Sequence, residues 1–389
     1  MSLKPLRVTF LATLPLNSST IVGRTIPLAL ELKKRGHEVN LITLGKIMDA
    51  PESSLIPTTI AGPSFRDGAK KPNIFKLLLR YLAAKKGLRD AVQKQNPDLI
   101  VLVKAHPQNF SAIKKITTPI ILDSDDDEGH SSRSNALERM WLNHINKKAA
   151  TKSQLITACS PYLVEQYKKI SLNKPIELIP TAIPESTQNE SINLRRYFDL
   201  GADSQIILYL GSLAISSGHR VDQILNAWNE LSIGNLKLHL ILAGDGIDAD
   251  KIRAQAKLLS NSNRIHFFGR FQSNNSEDFA RQANLLIDPI DNSIANQAKS
   301  SSRTMLALKS GTPIITGDVG IRKLLLPESI HSWTLYDPNQ PETLIKCIKY
   351  GLTDEAKRKF TQATDGLWKQ WTRDTIGAKF SSLIEGLIK

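Results

Sequence analysis

The 389-residue chain has very little cysteine: Cys159 and Cys347 are its only two, far apart and in strand-like and helix-like contexts. A disulfide framework and a cysteine metal cluster are thereby excluded, and a reducing, cytoplasmic compartment is the expectation. Long apolar runs are missing too, since none approaches the roughly 18 residues a bilayer-spanning helix requires. The opening MSLKPLRVTFLATLPL has a basic flank and an apolar run but no small-residue cleavage site, and VTFLATL continues into a strand–helix pattern. It therefore reads as a first strand rather than a secretion signal. Carboxylates are in deficit, with 37 Asp and Glu against 51 Lys and Arg, a net charge of +14. That excess attracts anions: a phosphorylated substrate, an anionic membrane surface or nucleic acid. No aromatic-basic recognition motif supports nucleic acid, so the expected partners exclude it.

What is present is an ordinary globular composition, 41% hydrophobic and 23% charged, over a length that favours two domains. LRVTFLAT reads as a buried strand, Gly23 to Gly36 as a helix and HEVNLIT as a second strand. A helix across Asn73 to Lys94, DLIVLV, a short helix near Lys114 and PIILD continue the alternation. A helix from Ser134 to Thr151, the strand QLITAC and a helix from Ser160-Pro161 complete the first series. After a Pro-rich, polar stretch from Asn173 to Asp203, read as the linker, a second series follows: QIILYLG, KLHLILAG, RIHFFG, NLLIDP and PIITG, with helices between. Such alternation implies α/β architecture, doubly wound parallel sheets with ligands at the carboxyl ends of the strands. The expected division is 1–185, 186–354, and C-terminal helices over 355–389 packing back toward the first domain.

One segment concentrates chemistry. KSSSRTMLALKSGTP places Ser300, Ser301 and Ser302 between Lys299 and Arg303, with Thr304 next, at the start of a helix. A helix start presents unbonded N–H groups and the positive end of its dipole, so hydroxyls and cations there suit phosphate. An ordinary serine-capped helix would read the same way. Glycine turns after two nearby strands, at Gly211 in YLGSL and at Gly244 and Gly246 in LAGDG, converge on the same sheet edge.

In the first half, DSDDDEGH follows the strand PIILD. Its crowded carboxylates are expected to repel one another, raising some pKa values or recruiting a cation or acceptor hydroxyls, unless they form a solvated loop. His106 follows DLIVLVKA at the same edge. Arg24, at a helix start, suits either a phosphate or a carboxylate partner. The helix after Pro72 carries Ile74, Leu77, Leu78, Tyr81, Leu82, Leu88 and Val92 on what reads as one core-facing stripe. Its basic side suits solvent or an anionic lipid surface.

The ordered set ALELKKRGHEVNLIT, QLITACSP, ILYLGSL, HLILAGDG, RIHFFGRF, ARQANLLIDPID and ALKSGTPIITGDVG resembles the GT-B glycosyltransferases, specifically the retaining family 4, over nearly the whole chain. The resemblance implies two Rossmann-like domains facing a cleft. It also implies transfer of a sugar from a nucleotide-diphosphate-sugar to a hydroxyl acceptor, with retention, in cell-surface glycan or glycolipid assembly. The implied partners are that donor and a glycan or lipid-linked acceptor, with no cofactor beyond the donor as co-substrate and no metal. A cytoplasmic enzyme, peripheral at the inner face of the membrane, would fit.

The residues depart from the family pattern. Two glutamates expected eight positions apart are Ala298 and Leu306, and the arginine and lysine that meet the donor diphosphate are Ser212 and Ser217. Lys299, Arg303, His219 and Arg220 are the nearest cations to replace them. By resemblance Gly269, Arg270 and Phe271 line the base pocket, and Gly244 and Asp245 the donor turn. Gly23 and Arg24 occupy the loop where relatives approach the diphosphate, although the family's glycine pair is not visible there. Asp125 or Asp126 lies near the position of a histidine facing the reacting sugar. Lys299, Arg303, Asp126 and His106 are the catalytic candidates. A noncatalytic nucleotide-sugar-binding protein that has lost the paired glutamates is the alternative.

Overall fold

The computed structural model describes residues 4–45, 55–63, 74–130, 135–171, 173–183 and 192–387. The chain divides into two compact units, Met1–Ala182 with Arg373–Lys389, and Ile183–Thr372. In the first, seven strands form one sheet: β1 (Arg7–Leu11), β2 (Glu38–Thr43), β3 (Thr58–Ile60), β4 (Leu99–Val103), β5 (Ile120–Ser124), β6 (Leu155–Ala158) and β7 (Ile176–Leu178). Their order is β3-β2-β1-β4-β5-β6-β7, every pairing parallel. The second holds six parallel strands, β8 (Gln205–Leu210), β9 (Leu238–Ala243), β10 (Ile265–Gly269), β11 (Leu285–Asp288), β12 (Ile314–Gly317) and β13 (Leu335–Tyr336). Their order is β10-β9-β8-β11-β12-β13.

Both sheets reverse their winding at one place, between β1 and β4 and between β8 and β11. Such a reversal opens a crevice at the carboxyl ends of the strands. β4 is apolar throughout because helices cover both faces: LIVLV is buried at every residue. Both cysteines are buried and neither is in a disulfide.

Two expected segments are organised differently. β7 lies inside the proposed linker, and the short helix Leu194–Tyr197 is capped by Asn193 Oδ1 accepting from Arg196 N at 2.9 Å. Residues 184–191 of that linker lie outside the described set. The tail splits at Arg373: helix Asp354–Thr364 belongs to the second unit, helix Arg373–Leu387 to the first. The latter lies close against helix Ile26–Lys34. A Cβ on Gly377 would come within 2.7 Å of Glu31 Cβ, so that crossing requires glycine.

Helix Ile74–Gln95 corrects the single-stripe reading. Ala84, Leu88 and Val92 are buried, but Phe75, Leu78, Leu79 and Leu82 are about half or more exposed. At 100° per residue these are two separate faces, one inward and one outward.

Candidate active site

In the second unit the carboxyl ends of β8, β9, β11 and β12 bring several expected residues together. Gly211 and Gly244 follow β8 and β9 at φ +151° and +149°, where a side chain is strained. A Cβ on Gly244 would sit 1.7 Å from the Gly211 carbonyl oxygen. The two turns are therefore packed backbone to backbone. Asp245 leaves this edge exposed, paired with Arg270 at 3.1 Å, and both are open to solvent. Gly269 adopts φ +81°, and the Phe271 ring packs 5.7 Å from that of Phe279.

The centre of the edge is a carboxylate that the sequence reading passed over. Asp288 ends β11 with no exposed surface. Arg303 Nε lies 2.9 Å from its Oδ1, and Arg322 Nε and Nη2 each 3.1 Å from its Oδ2. Thr316, its register partner on β12, donates to Oδ2 at 3.1 Å, and Ser301 donates to the same oxygen at 3.4 Å. Burial alone would raise the Asp288 pKa, but the two guanidinium groups hold it down at about 2. One carboxylate with two arginines leaves a positive excess, and neutral surroundings cannot screen it as water would. NLLID, an acid closing an apolar run, was the signal available; its partners come only from the register of β12 and the turn after it.

Arg303 sits on the first turn of helix Ser302–Ser310, whose N-cap is Ser301. Its side chain is 15% exposed. Nη1 donates to Leu210 O at 3.3 Å, the guanidinium stacks over Tyr209 at 5.0 Å, and a Cβ on Gly211 would lie 2.8 Å from Nη1. Nη2 lies 3.0 Å from His219 Nδ1. Since arginine only donates, Nδ1 accepts and Nε2 carries the ring proton. Burial, and then Arg303, push the His219 pKa down to about 3, so the ring is neutral. Lys299 contributes to the same effect. A bridge from His219 to Ile290, and Arg220 N donating to Pro289 O at 2.9 Å, fix the histidine at the end of β11. Arg220 itself turns to Asp222 at 2.7 Å.

The serines separate. Ser301 and Thr304 are buried and bond each other at 2.8 Å, so their hydroxyls hold the cap and Asp288. Ser302 and Ser212 are exposed, while Ser300 and Lys299 are partly exposed. Ala298 is wholly buried and Leu306 belongs to the main core cluster, so neither position has room for a solvated carboxylate.

At the corresponding edge of the first unit, the acidic loop departs from the expectation of mutual repulsion. Each carboxylate has its own donor. Arg24 clamps Asp123 through Nε at 2.9 Å and Nη2 at 2.6 Å and donates to Ile179 O at 2.6 Å, with only 1% of its side chain exposed. Of its two possible partners it therefore has the carboxylate, and phosphate is shut out. Gly23 beside it has open space where a Cβ would go.

Lys104 reaches Asp125 at 3.1 Å and Glu128 at 2.8 Å. Glu128 also meets His106 Nε2 at 3.2 Å. Burial opposes its ionisation, yet Lys104 and His106 hold it well below the usual carboxylate range. Thr20 donates to Asp125 at 2.8 Å, Asp127 pairs with His130 at 3.0 Å, and Asp126 accepts from Asp127 N at 2.9 Å. His106 is held at both nitrogens, by Glu128 and by Thr13 Oγ1. Lys104 takes φ +54°, an uncommon conformation that concentrates at functional positions. Asn109 Nδ2 secures it through Lys104 O at 2.8 Å. Among the described residues no group of three or more His, Cys, Asp or Glu is arranged to hold a metal.

Comparison with known proteins places this geometry. Residues 24–187 match the family described as Glycosyltransferase Family 4, and residues 204–354 match Glycosyl transferases group 1. No curated protein matches the sequence. Among solved structures, HepE of Anabaena in complex with UDP-glucose is similar at 14% identity and a TM-score of 0.73, over 98% of this chain and 100% of that one. Sucrose-phosphate synthase of Thermosynechococcus elongatus is similar at 16% identity and 0.72, over 98% and 99%. WaaG, a glycosyltransferase involved in lipopolysaccharide biosynthesis, is similar at 16% and 0.69, over 97% and 100%. These identities speak for the fold, and the two family matches cover the second sheet and all of the first except β1. Residues 24–187 thus form a Glycosyltransferase Family 4 region and residues 204–354 a Glycosyl transferases group 1 region, and the chain is a glycosyltransferase of the GT-B fold.

Proposed function

We propose that the enzyme transfers a sugar from a nucleotide-diphosphate-sugar to a hydroxyl acceptor in cell-surface glycan or glycolipid assembly, with retention as in family 4. The observation that carries the donor assignment is Arg303, held by Asp288 on the first turn of a helix and against the Gly211 turn. It stands beside the turn at which the family's arginine and lysine are replaced by Ser212 and Ser217. HepE was solved with UDP-glucose, which supports a donor of that chemical class.

The chemistry asked of this edge is stabilisation of charge on the departing diphosphate. Groups already in position act best where charge develops, because nothing has to reorient. A guanidinium has five N–H donors. Nη1 and Nη2 of Arg303 donate to Leu210 O and His219 Nδ1, and the side chain stays 15% exposed, which supports a further contact from it to a phosphate oxygen. The N–H groups of the first helical turn and His219 Nε2–H supply neutral donors. Lys299, at the end of helix Ile294–Ala298, adds a further cation. Asp288 is a positioning residue: it fixes the cap and both arginines and does not itself face a ligand.

The test is a donor panel of UDP-, GDP-, ADP- and TDP-sugars with purified enzyme, scored for donor hydrolysis or transfer and for the anomer formed. Turnover of one donor with retention is expected. Nucleotide binding without turnover on every donor, or an inverted product, would overturn the corresponding part of the proposal.

A further inference from the structure

The carboxyl edge of the first sheet holds two histidines, and they differ in what they have left to offer a ligand. His106 has Glu128 Oε2 3.2 Å from Nε2 and Thr13 Oγ1 at Nδ1, so both ring nitrogens are engaged, and its side chain is 14% exposed. His130 is engaged at one nitrogen only. Asp127 Oδ2 lies 3.0 Å from its Nδ1, no described residue meets Nε2, and the side chain is 32% exposed.

The neighbouring carboxylates already have partners. Arg24 holds Asp123, Thr20 and Lys104 hold the two oxygens of Asp125, and Lys104 and His106 hold those of Glu128. Asp127 is given wholly to orienting His130 and to Tyr162. Its Oδ1 accepts from the His130 N–H at 3.2 Å, and its Oδ2 meets both Nδ1 and the Tyr162 hydroxyl, the latter at 3.3 Å. Burial and then Asp127 push the Tyr162 pKa up to about 12, so the phenol stays a donor. The single helical turn Glu128–His130 is closed by His130 N donating to Asp127 O at 3.1 Å. It lies against helix Ala136–Lys152, where a Cβ on Gly129 would fall 1.9 Å from Asn143 Oδ1. An ionised carboxylate only accepts, so the proton of the His130–Asp127 bond sits on Nδ1, and Nε2 presents a lone pair. A carboxylate-held imidazole with its far nitrogen unoccupied is the arrangement that takes a proton from a hydroxyl.

We propose that His130 receives the sugar acceptor: Nε2 accepts the hydrogen bond of the attacking hydroxyl and takes its proton during transfer, with Asp127 as the positioning residue behind it. The acceptor oxygen bonds to the anomeric carbon as the bond from that carbon to the diphosphate breaks. The diphosphate leaves with the electron pair, the hydroxyl proton passes to Nε2, and the imidazolium, facing Asp127, later returns it to solvent. This rests on the reading of the enzyme as a transferase to hydroxyl acceptors. His106, the histidine expected from sequence, has no nitrogen to spare for the role.

The test follows transfer from UDP-, GDP-, ADP- and TDP-sugars to a panel of octyl glycosides, with donor binding measured separately by calorimetry and the fold by circular dichroism. His130→Gln and His130→Ala should each lower kcat for transfer by about a hundredfold and leave donor Kd within about twofold. Added imidazole should restore His130→Ala by about tenfold, which a side chain with a purely structural role would not show. Asp127→Asn keeps an oxygen for the His130 N–H but turns an amide donor toward Nδ1. The ring proton then moves to Nε2, and transfer should fall about as far, again with donor Kd unchanged. A folded His130→Gln enzyme that transfers as fast as wild type overturns the inference and leaves the donor reading intact. So does a His130→Ala enzyme unmoved by imidazole beside a fully active Asp127→Asn. A wild type that binds a nucleotide-sugar but transfers to no acceptor fails the transferase reading itself, and the inference falls with it.

Discussion

Arg303 Nε and Asp288 Oδ1 stand 2.9 Å apart at the carboxyl edge of the second sheet, joining a helix start to the end of a buried strand. Arg322 holds the other oxygen of the same carboxylate. Three charges share one enclosed place, and two are positive. The excess charge is what a diphosphate would meet, and its geometry does not depend on a flexible lysine.

Replacing Asp288 with Asn should therefore do more than remove a contact. It leaves two buried guanidinium groups facing each other, and breaking a buried pair typically costs about 3–5 kcal/mol. Chemical denaturation should show a loss of that order in the transition of the second unit. A loss under about 1 kcal/mol, the range of exposed pairs, would show that the carboxylate is not the anchor described.

Gly244→Ala tests the glycine turns. At φ +149° and with its Cβ 1.7 Å from Gly211 O, the alanine can be accommodated only by moving one turn away from the other. A cost of about 1–3 kcal/mol is expected from backbone strain, together with weaker donor binding. Gly23→Ala, where nothing lies within 4 Å, should be close to neutral in stability. If the two substitutions behave alike in thermal unfolding, the packing of these turns has been misjudged.

Stability should fall with acid in a defined way. His219 is depressed to about 3 and His266 to about 4, in both cases first by burial. Their protonation in the unfolded chain begins near the ordinary value of about 6.5, so the unfolded state binds more protons between that pH and the depressed values. Stability is thus full above about pH 6.5 and declines as pH drops toward 3. Asp288 adds a further loss once pH falls below the ordinary carboxylate value of about 3.9 toward 2. His219→Gln, which keeps an acceptor for Arg303, should flatten melting temperature against pH between 6.5 and 4. An unchanged slope would show that His219 is not the neutral acceptor assigned here.

Arg24→Met separates the two roles offered for that residue. An unpaired Asp123 in the first unit should lower stability by about 3–5 kcal/mol. Donor affinity of the folded protein should be unaltered. A folded Arg24→Met protein with tenfold weaker donor binding would return Arg24 to the phosphate.

The doubly wound architecture was legible because alternation of apolar runs with amphipathic segments is a local signal, and glycine after a strand marks where backbone must turn. The Lys299–Arg303 segment was legible for the same reason. Asp288 was not, since its meaning comes from Thr316 beside it in register and from Arg322 thirty-four residues later. Nor could sequence divide the apolar residues of helix Ile74–Gln95 between two faces without knowing which one the sheet covers. Arg24 and the acidic loop show the complementary case: acids crowded in one dimension find donors in three, Arg24 and Lys104 from elements that the sheet order brings to one edge, and His130 and the Asp127 N–H within the loop itself.

The most direct test is calorimetric titration of UDP, GDP, ADP and dTDP into the wild-type enzyme and into Arg303→Ala, with melting temperatures confirming that the variant is folded. One nucleotide should bind the wild type, and its affinity should drop at least about a hundredfold in the variant, as loss of a preorganised charged donor implies. A folded Arg303→Ala protein that binds the same nucleotide as tightly as wild type would contradict the account.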